Sequence, residues 1–184
     1  MVAIHENYQD YSPPIFVRKT VSKLLSRLPE PYLSGLEAVV LTNAVAIGKG
    51  KTRRVGIRKY KRNECLGFYH HKSKGEVAWI EIVVDNIIAS SFGPQLPRFL
   101  RYIPPVREGA FGTVLYHEMG HHLDHTIGPL GRGSESSADA WRDKLLVAYF
   151  IKNYWYLKPF LAGIKAVARY MARLDESERR KSVV

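Results

Sequence analysis

The stretch His117-Glu118-Met119-Gly120-His121 is the one around which the fold of this chain is organised. On a helix, residues four apart lie on one face with Cβ atoms about 5–6 Å apart, so His117 and His121 can each direct an imidazole nitrogen at the same ion. Glu118 projects about 100° around the helix, beside that ion, where a carboxylate can take a proton from water. The stretch therefore predicts a helix that carries half of a zinc site and a general base.

Two histidines need a third protein ligand, because catalytic zinc sites normally have three and leave one position open. His125 lies about 12 Å along the helix from His117, and Asp124 falls off the face that carries the histidine pair, so both are poor ligands. Glu135 lies on the next predicted helix, after a glycine-rich link that lets the chain turn back. If Glu135 binds the metal, Asp139, one helical turn further, can accept the N–H of a ligand histidine.

Residues 117–121 and 135–139 together resemble the gluzincin metallopeptidases, whose pattern is HExxH followed on a later helix by ExxAD or ExxSD. The resemblance implies that His117, His121 and Glu135 bind one catalytic Zn²⁺ ion. It also implies that Glu118 is the general base and acid, and that Asp139 supports a ligand histidine. The short interval between the two motifs is similar to that of the compact, single-domain minigluzincins.

The resemblance implies an α+β fold, in which an N-terminal helix and a small mixed sheet lie above a helical lower part. The residue pattern agrees with this order, and we expect one zincin-like domain over residues 1–184, with flexible ends at 1–11 and 175–184. The predicted elements are a helix that Ser12 caps, a strand at 36–41, a hairpin of 66–71 and 77–84, a helical turn at 97–102, the metal helix at 108–125, a helix that Ser134 caps, and a last helix from 159 to about 174.

For several segments and side chains, the sequence is compatible either with substrate binding or with a purely structural role. A substrate strand could add to 66–71 or to 77–84, and the sequence leaves both open. Arg142 could hold a substrate carbonyl or pair with a carboxylate. An oxyanion-stabilising histidine or tyrosine is expected from the resemblance, but core packing is the better interpretation for the tyrosine candidates Tyr149, Tyr154 and Tyr156. His122 and His125 are expected to be polar packing or surface groups.

Composition narrows the class of protein. The fractions of hydrophobic (46%) and charged (24%) residues are those of a globular chain. Cys65 is the single cysteine, which excludes an internal disulfide and thiolate-rich zinc sites. The N-terminal residues lack the pattern of a signal peptide, and no apolar run approaches the ~18 residues of a membrane span, so we expect an intracellular, cytoplasmic protein without membrane contact.

The segment 48–62 concentrates much of the net charge of +11, because it contains eight cations and no acid. Its glycines and continuous charge predict a solvated loop or a long hairpin. The segment Lys49–Arg62 could contact nucleic acid through phosphates, or could serve only solubility. A phosphate-binding loop is excluded, because Val45 stands where the first glycine of that motif would fall.

These observations predict a zinc-dependent endopeptidase that hydrolyses peptide bonds in a peptide or protein substrate. A latent zymogen, with residues 1–11 or 175–184 in the cleft, is compatible with the same pattern. Two alternatives stay open: a DNA-associated metalloprotease that uses the basic segment, and a non-catalytic regulatory or interaction protein with the zincin fold.

Overall fold

The computed structural model describes residues 2–48, 52–55, 58–61, 64–71, 77–94, 96–128 and 134–157. Its helices are α1 (Val17–Leu25), α2 (Ala44–Ile47), α3 (Val84–Ser91), α4 (Pro104–Thr126) and α5 (Glu135–Asn153). Its strands are β1 (Ala3–Asn7), β2 (Leu36–Thr42), β3 (Thr52–Val55), β4 (Arg58–Lys61), β5 (Gly67–His70) and β6 (Ala78–Val83). Short 3₁₀ turns span Glu30–Leu33, Arg98–Tyr102 and Trp155–Leu157. The predicted α+β class is confirmed.

The chain divides into two compact units, residues 1–149 and 150–184, and the single zincin-like domain stays a prediction. The first unit contains all of the described strands, α1 to α4 and most of α5. In the second unit the end of α5 is followed by the last 3₁₀ turn. The predicted helix from 159 to 174 and the predicted flexible tail at 175–184 lie outside the described residues. Within the described part of the chain, no helix combines the length and hydrophobicity needed to cross a membrane.

Four strands form a mixed sheet in the order β1-β2-β6-β5. β1 and β6 both run parallel to β2, and β5 runs antiparallel to β6. The predicted hairpin is therefore confirmed. Of its two strands, which the sequence could not tell apart, β5 lies at the edge of the sheet and β6 is internal. Residues 3–7, within a segment predicted to be flexible, form the other terminal strand, β1.

The core lies between the sheet and two helices, because α4 packs against both α1 and the strands β5 and β6. β2 and β6 are buried along nearly their whole length, which is typical of strands covered on both faces. Fully buried apolar residues on α1 and α4 recur at helical spacing. They include Val21 and Leu24 on α1, and Phe111, Leu115, Met119 and Leu123 on α4.

A buried carboxylate joins three helices of the first unit. Glu108 on α4 is 2% exposed and accepts hydrogen bonds from Lys23 Nζ on α1 (2.8 Å) and from the Tyr149 hydroxyl on α5 (2.6 Å). A buried charge is tolerated only with partners of this kind. Tyr149 thus packs in the core, as expected, and its hydroxyl binds Glu108.

Two predicted helix starts are wrong, and both errors involve proline. The first helix begins at Val17, so Ser12 does not cap it, and Phe16 is exposed. The metal helix begins four residues earlier than predicted, with Pro104 and Pro105 in its first turn. Proline has no N–H, and the first-turn N–H groups of a helix have no intrahelical acceptor, so prolines there start a helix as readily as they end one.

The described part of the basic segment forms a hairpin, which was one of the two predicted alternatives. β3 and β4 pair antiparallel and make a two-stranded sheet of their own. We call this pair of strands the basic ribbon.

Candidate metal centre

The two predicted ligand histidines and Glu135 come together between α4 and α5. Glu135 Oε2 lies 3.3 Å from His117 Nε2 and 3.8 Å from His121 Nε2. The two imidazole rings are nearly perpendicular, with centroids 5.0 Å apart. Within the described residues these three side chains are the group of His, Cys, Asp or Glu that could hold a metal ion.

The close crossing of α4 and α5 brings Glu135 to the histidines. At Gly120 a side-chain Cβ would lie 2.7 Å from the Cα and the carbonyl oxygen of Ala138, so the two helix backbones meet there. Such an approach excludes every residue larger than glycine unless the backbone shifts. Gly120 of the HExxH stretch therefore sets the distance between the ligands, a role that the sequence alone does not indicate.

Asp124 holds the same crossing in place. Its Oδ1 accepts hydrogen bonds from Ser137 Oγ (2.8 Å) and from Trp141 Nε1 (3.1 Å), both on α5. Ser134 caps α5 as predicted, because its Oγ accepts the N–H of Ser137 at 3.1 Å. Asp124 is thus an anchor between two helices, and not a metal ligand.

Asp139 lies where it can orient a ligand histidine, as the sequence predicts. Its Oδ1 is 3.0 Å from Nδ1 of His117, so that nitrogen can donate its proton to the carboxylate and leave Nε2 available to a metal. Arg142 Nη1 donates to the same oxygen at 2.7 Å, and Arg142 Nε donates to Asp143 at 2.9 Å. Of the two roles predicted for Arg142, pairing with a carboxylate is the one observed.

Glu118 lines a cavity of about 290 Å³, and His117 and Glu135 line the same cavity. Glu118 is buried, whereas Glu135 is exposed. A larger cavity of about 800 Å³ lies beside β1 and α1, but none of the predicted site residues lines it. The smaller cavity is therefore the candidate site because of the residues that line it, and not because of its volume.

The terminal strand β5 reaches this cavity. A Cβ at Gly67 would lie 2.8 Å from Cγ1 of Val114 and 3.1 Å from Cγ of Glu118, so the start of β5 lies directly on α4. Leu66 and Gly67 line the cavity together with Thr113 and Val114 of α4. The candidate site is thus bounded by one sheet edge and two helices.

His122 and His125 lie outside this group of three, and they are the polar packing or surface groups that the sequence predicts. His122 is fully buried, its Nε2 lies 3.0 Å from the Ser34 carbonyl oxygen, and its Nδ1 lies 3.2 Å from the Tyr69 hydroxyl. Burial lowers the pKa of His122, so the neutral ring donates to the carbonyl through Nε2 and accepts from the hydroxyl at Nδ1. His125 is exposed and stacks near His71, with ring centroids 5.7 Å apart.

Comparisons of the chain with protein-family models, with curated proteins and with solved structures found no match. The resemblance to gluzincins therefore depends on the motif residues alone.

Proposed function

We propose that this protein is a zinc-dependent endopeptidase in which Glu118 is the general base. One observation carries the proposal: the donor atoms of His117, His121 and Glu135 lie close together, and His117 and Glu135 line a cavity together with Glu118 and the start of the terminal strand β5. A metal group alone would be compatible with a structural ion. The adjacent buried carboxylate and the sheet edge favour hydrolysis of an extended peptide.

The donor set fits zinc. Two ligands of a tetrahedral zinc ion, each bonded at about 2.0–2.1 Å, lie about 3.3–3.4 Å apart. The separations of 3.3 Å and 3.8 Å between Glu135 Oε2 and the two imidazole nitrogens are close to that value. Two imidazoles and one carboxylate leave a fourth position for water or substrate, which is characteristic of catalytic sites and not of structural ones.

A zinc ion held there would polarise a peptide carbonyl and lower the pKa of water to about 7. The protein's own contribution is proton transfer and orientation. Glu118 takes a proton from the attacking water and then donates it to the departing nitrogen. Asp139 holds the ring of His117 in the tautomer that leaves Nε2 available, and Arg142 in turn restrains Asp139.

β5 gives the site a way to bind a peptide. An extended chain can add to the terminal strand of a sheet through main-chain hydrogen bonds, and neighbouring pockets then select its side chains. Since Gly67 lies directly on Glu118 Cγ, a peptide paired along β5 would pass the general base. The cavity beside it, with Leu66 and Val114 in its wall, could receive one apolar side chain.

The test combines metal analysis with hydrolysis of a denatured protein substrate. We expect the purified protein to contain one zinc ion per chain. Glu118→Gln should keep that zinc and lose activity by about 10²–10⁴-fold, the usual contribution of a general base. Glu37→Gln, which removes an exposed carboxylate on β2, is the matched control and should leave the rate unchanged.

Absence of zinc, or full activity in Glu118→Gln, would exclude the proposed mechanism. If the unaltered protein binds zinc in stoichiometric amount and hydrolyses no substrate, the non-catalytic alternative is favoured instead.

A further inference from the structure

The basic ribbon lies within the segment 48–62, which concentrates positive charge in the sequence. Residues 48–62 include eight cations without an acid: Lys49, Lys51, Arg53, Arg54, Arg58, Lys59, Lys61 and Arg62. Lysine and arginine are almost never buried unless they are paired, and this segment has no carboxylate of its own to pair with them. Lys61, with a side chain that is 67% exposed, has Glu64 as a partner at 3.2 Å. A segment of this composition is expected to attract polyanions.

The strand register places like charges opposite each other at one position, where Arg54 pairs with Lys59 across the ribbon. Like charges at directly opposite positions destabilise an antiparallel pair. Of the eight residues in this register, five are cations and none is an acid. A bound polyanion would relieve the repulsion.

The ribbon is also separate from the main sheet, since β3 and β4 form a sheet by themselves and, within the described residues, pack chiefly against each other. An antiparallel ribbon of two strands has the size that the major groove of B-form DNA admits, a groove about 12 Å wide. The major groove of double-stranded RNA is too narrow for such an element.

Other polyanions fit the segment less well. Proteins that bind single strands stack the bases on several aromatic side chains, whereas residues 48–62 contain a single aromatic, Tyr60. We propose that the basic ribbon binds B-form duplex DNA through phosphates on either side of the major groove. This proposal does not depend on metal binding or on peptidase activity.

The experiment measures binding of the full-length protein to a labelled DNA duplex by fluorescence anisotropy as the salt concentration is varied. The ribbon variant carries Arg54→Gln, Lys59→Gln and Lys61→Gln. The control variant carries Lys19→Gln, Arg27→Gln and Arg98→Gln, which removes the same charge from exposed positions elsewhere. Three phosphate contacts correspond to a salt slope of about −2.7, or about a 40-fold loss of affinity between roughly 50 and 200 mM salt.

We expect the control to keep the affinity and salt slope of the unaltered protein. The salt slope of the ribbon variant should be smaller in magnitude by about 2.7, because its three phosphate contacts and their 40-fold loss of affinity with salt are removed. An unchanged ribbon variant would overturn the proposal. Tighter binding to single-stranded DNA, to an RNA duplex or to phosphatidylserine vesicles than to duplex DNA would also overturn it. A charge-preserving variant, Arg54→Lys with Lys59→Arg and Lys61→Arg, should bind duplex DNA normally, and its failure to do so would contradict a phosphate contact. Glu118→Gln should bind as the unaltered protein does, which separates this result from that of the peptidase test.

Discussion

His121 and His122 are consecutive on α4 and are both almost entirely buried, with 6% and 0% of their surface exposed. The rotation of about 100° per residue sends one toward α5 and Glu135, and the other toward Tyr69 of β5 and the Ser34 carbonyl. Both ring nitrogens of His122 are occupied by protein hydrogen bonds, so it has no lone pair to offer a metal. The comparison teaches that the neighbours of a buried histidine, and not its burial, distinguish a ligand from a packing residue.

The largest effect is expected for His121→Ala. Two protein ligands would remain, and catalytic zinc sites normally need three. We expect loss of stoichiometric zinc, measured by inductively coupled plasma mass spectrometry, together with loss of hydrolysis. His125→Ala, at an exposed position on the same helix, should retain both. Stoichiometric zinc in His121→Ala would contradict the assignment of the α5-facing side of α4 as the metal side.

Gly120→Ala tests whether the helix crossing sets the site. The new Cβ would lie 2.7 Å from the Ala138 backbone, and overpacking of this kind destabilises by about 1–3 kcal/mol. Gly112→Ala is the matched control, because its nearest neighbour is the end of a flexible leucine side chain, Cδ1 of Leu146 at 3.0 Å. Urea denaturation should show a lower midpoint for Gly120→Ala only, with weaker zinc binding. Equal midpoints for the two variants would argue against a backbone contact.

Asp139→Asn should weaken zinc binding by about 10–100-fold, the usual effect of removing an outer partner of a ligand histidine. Competition with a chelator of known affinity measures this change. Asp143→Asn is a close control, since Asp143 also accepts a hydrogen bond from Arg142 and the structure records no contact between it and His117. If both variants bind zinc equally, Asp139 does not orient the histidine.

His122→Gln should give the smallest effect, and it should change stability rather than zinc binding. The glutamine would lose about one of the two hydrogen bonds that His122 makes, which lowers the free energy of unfolding by about 1 kcal/mol. Zinc content should stay at that of the unaltered protein. His125→Gln, at an exposed position, should change stability by less than about 0.5 kcal/mol. Loss of zinc from a folded His122→Gln protein would remove the distinction between the two sides of α4.

The sequence predicts the parts of the site that depend on helical spacing. His117 and His121 share a face because they are four residues apart, and Asp139 follows Glu135 by the same interval on α5. The hairpin of β5 and β6 was predictable too, since two strand-like runs flank a short polar turn. In each case the signal lies within one element or between neighbouring ones.

Features that depend on contacts between distant elements could not be predicted in this way. Gly120 looks like an unremarkable helix residue until α5 crosses it, and Asp124 looks like a rejected ligand until Ser137 and Trp141 reach it. β1 contains no apolar alternation strong enough to identify a strand, because it is mostly exposed at the end of the sheet. The position of β5 as the terminal strand likewise follows from the pairing of strands far apart in sequence.

The register of the sheet also has a consequence for the order of folding. Ala38 pairs with Ala3 on one side and with Trp79 on the other, both across long intervals of chain, whereas Trp79 pairs with His70 across a hairpin. Closing a long loop loses more chain entropy than closing a short one, so pairings between distant strands form late. The hairpin of β5 and β6, next to Glu118, can therefore form before the parallel strands join. β2 and β1 then complete the sheet on the side that lies away from the candidate metal centre in the strand order.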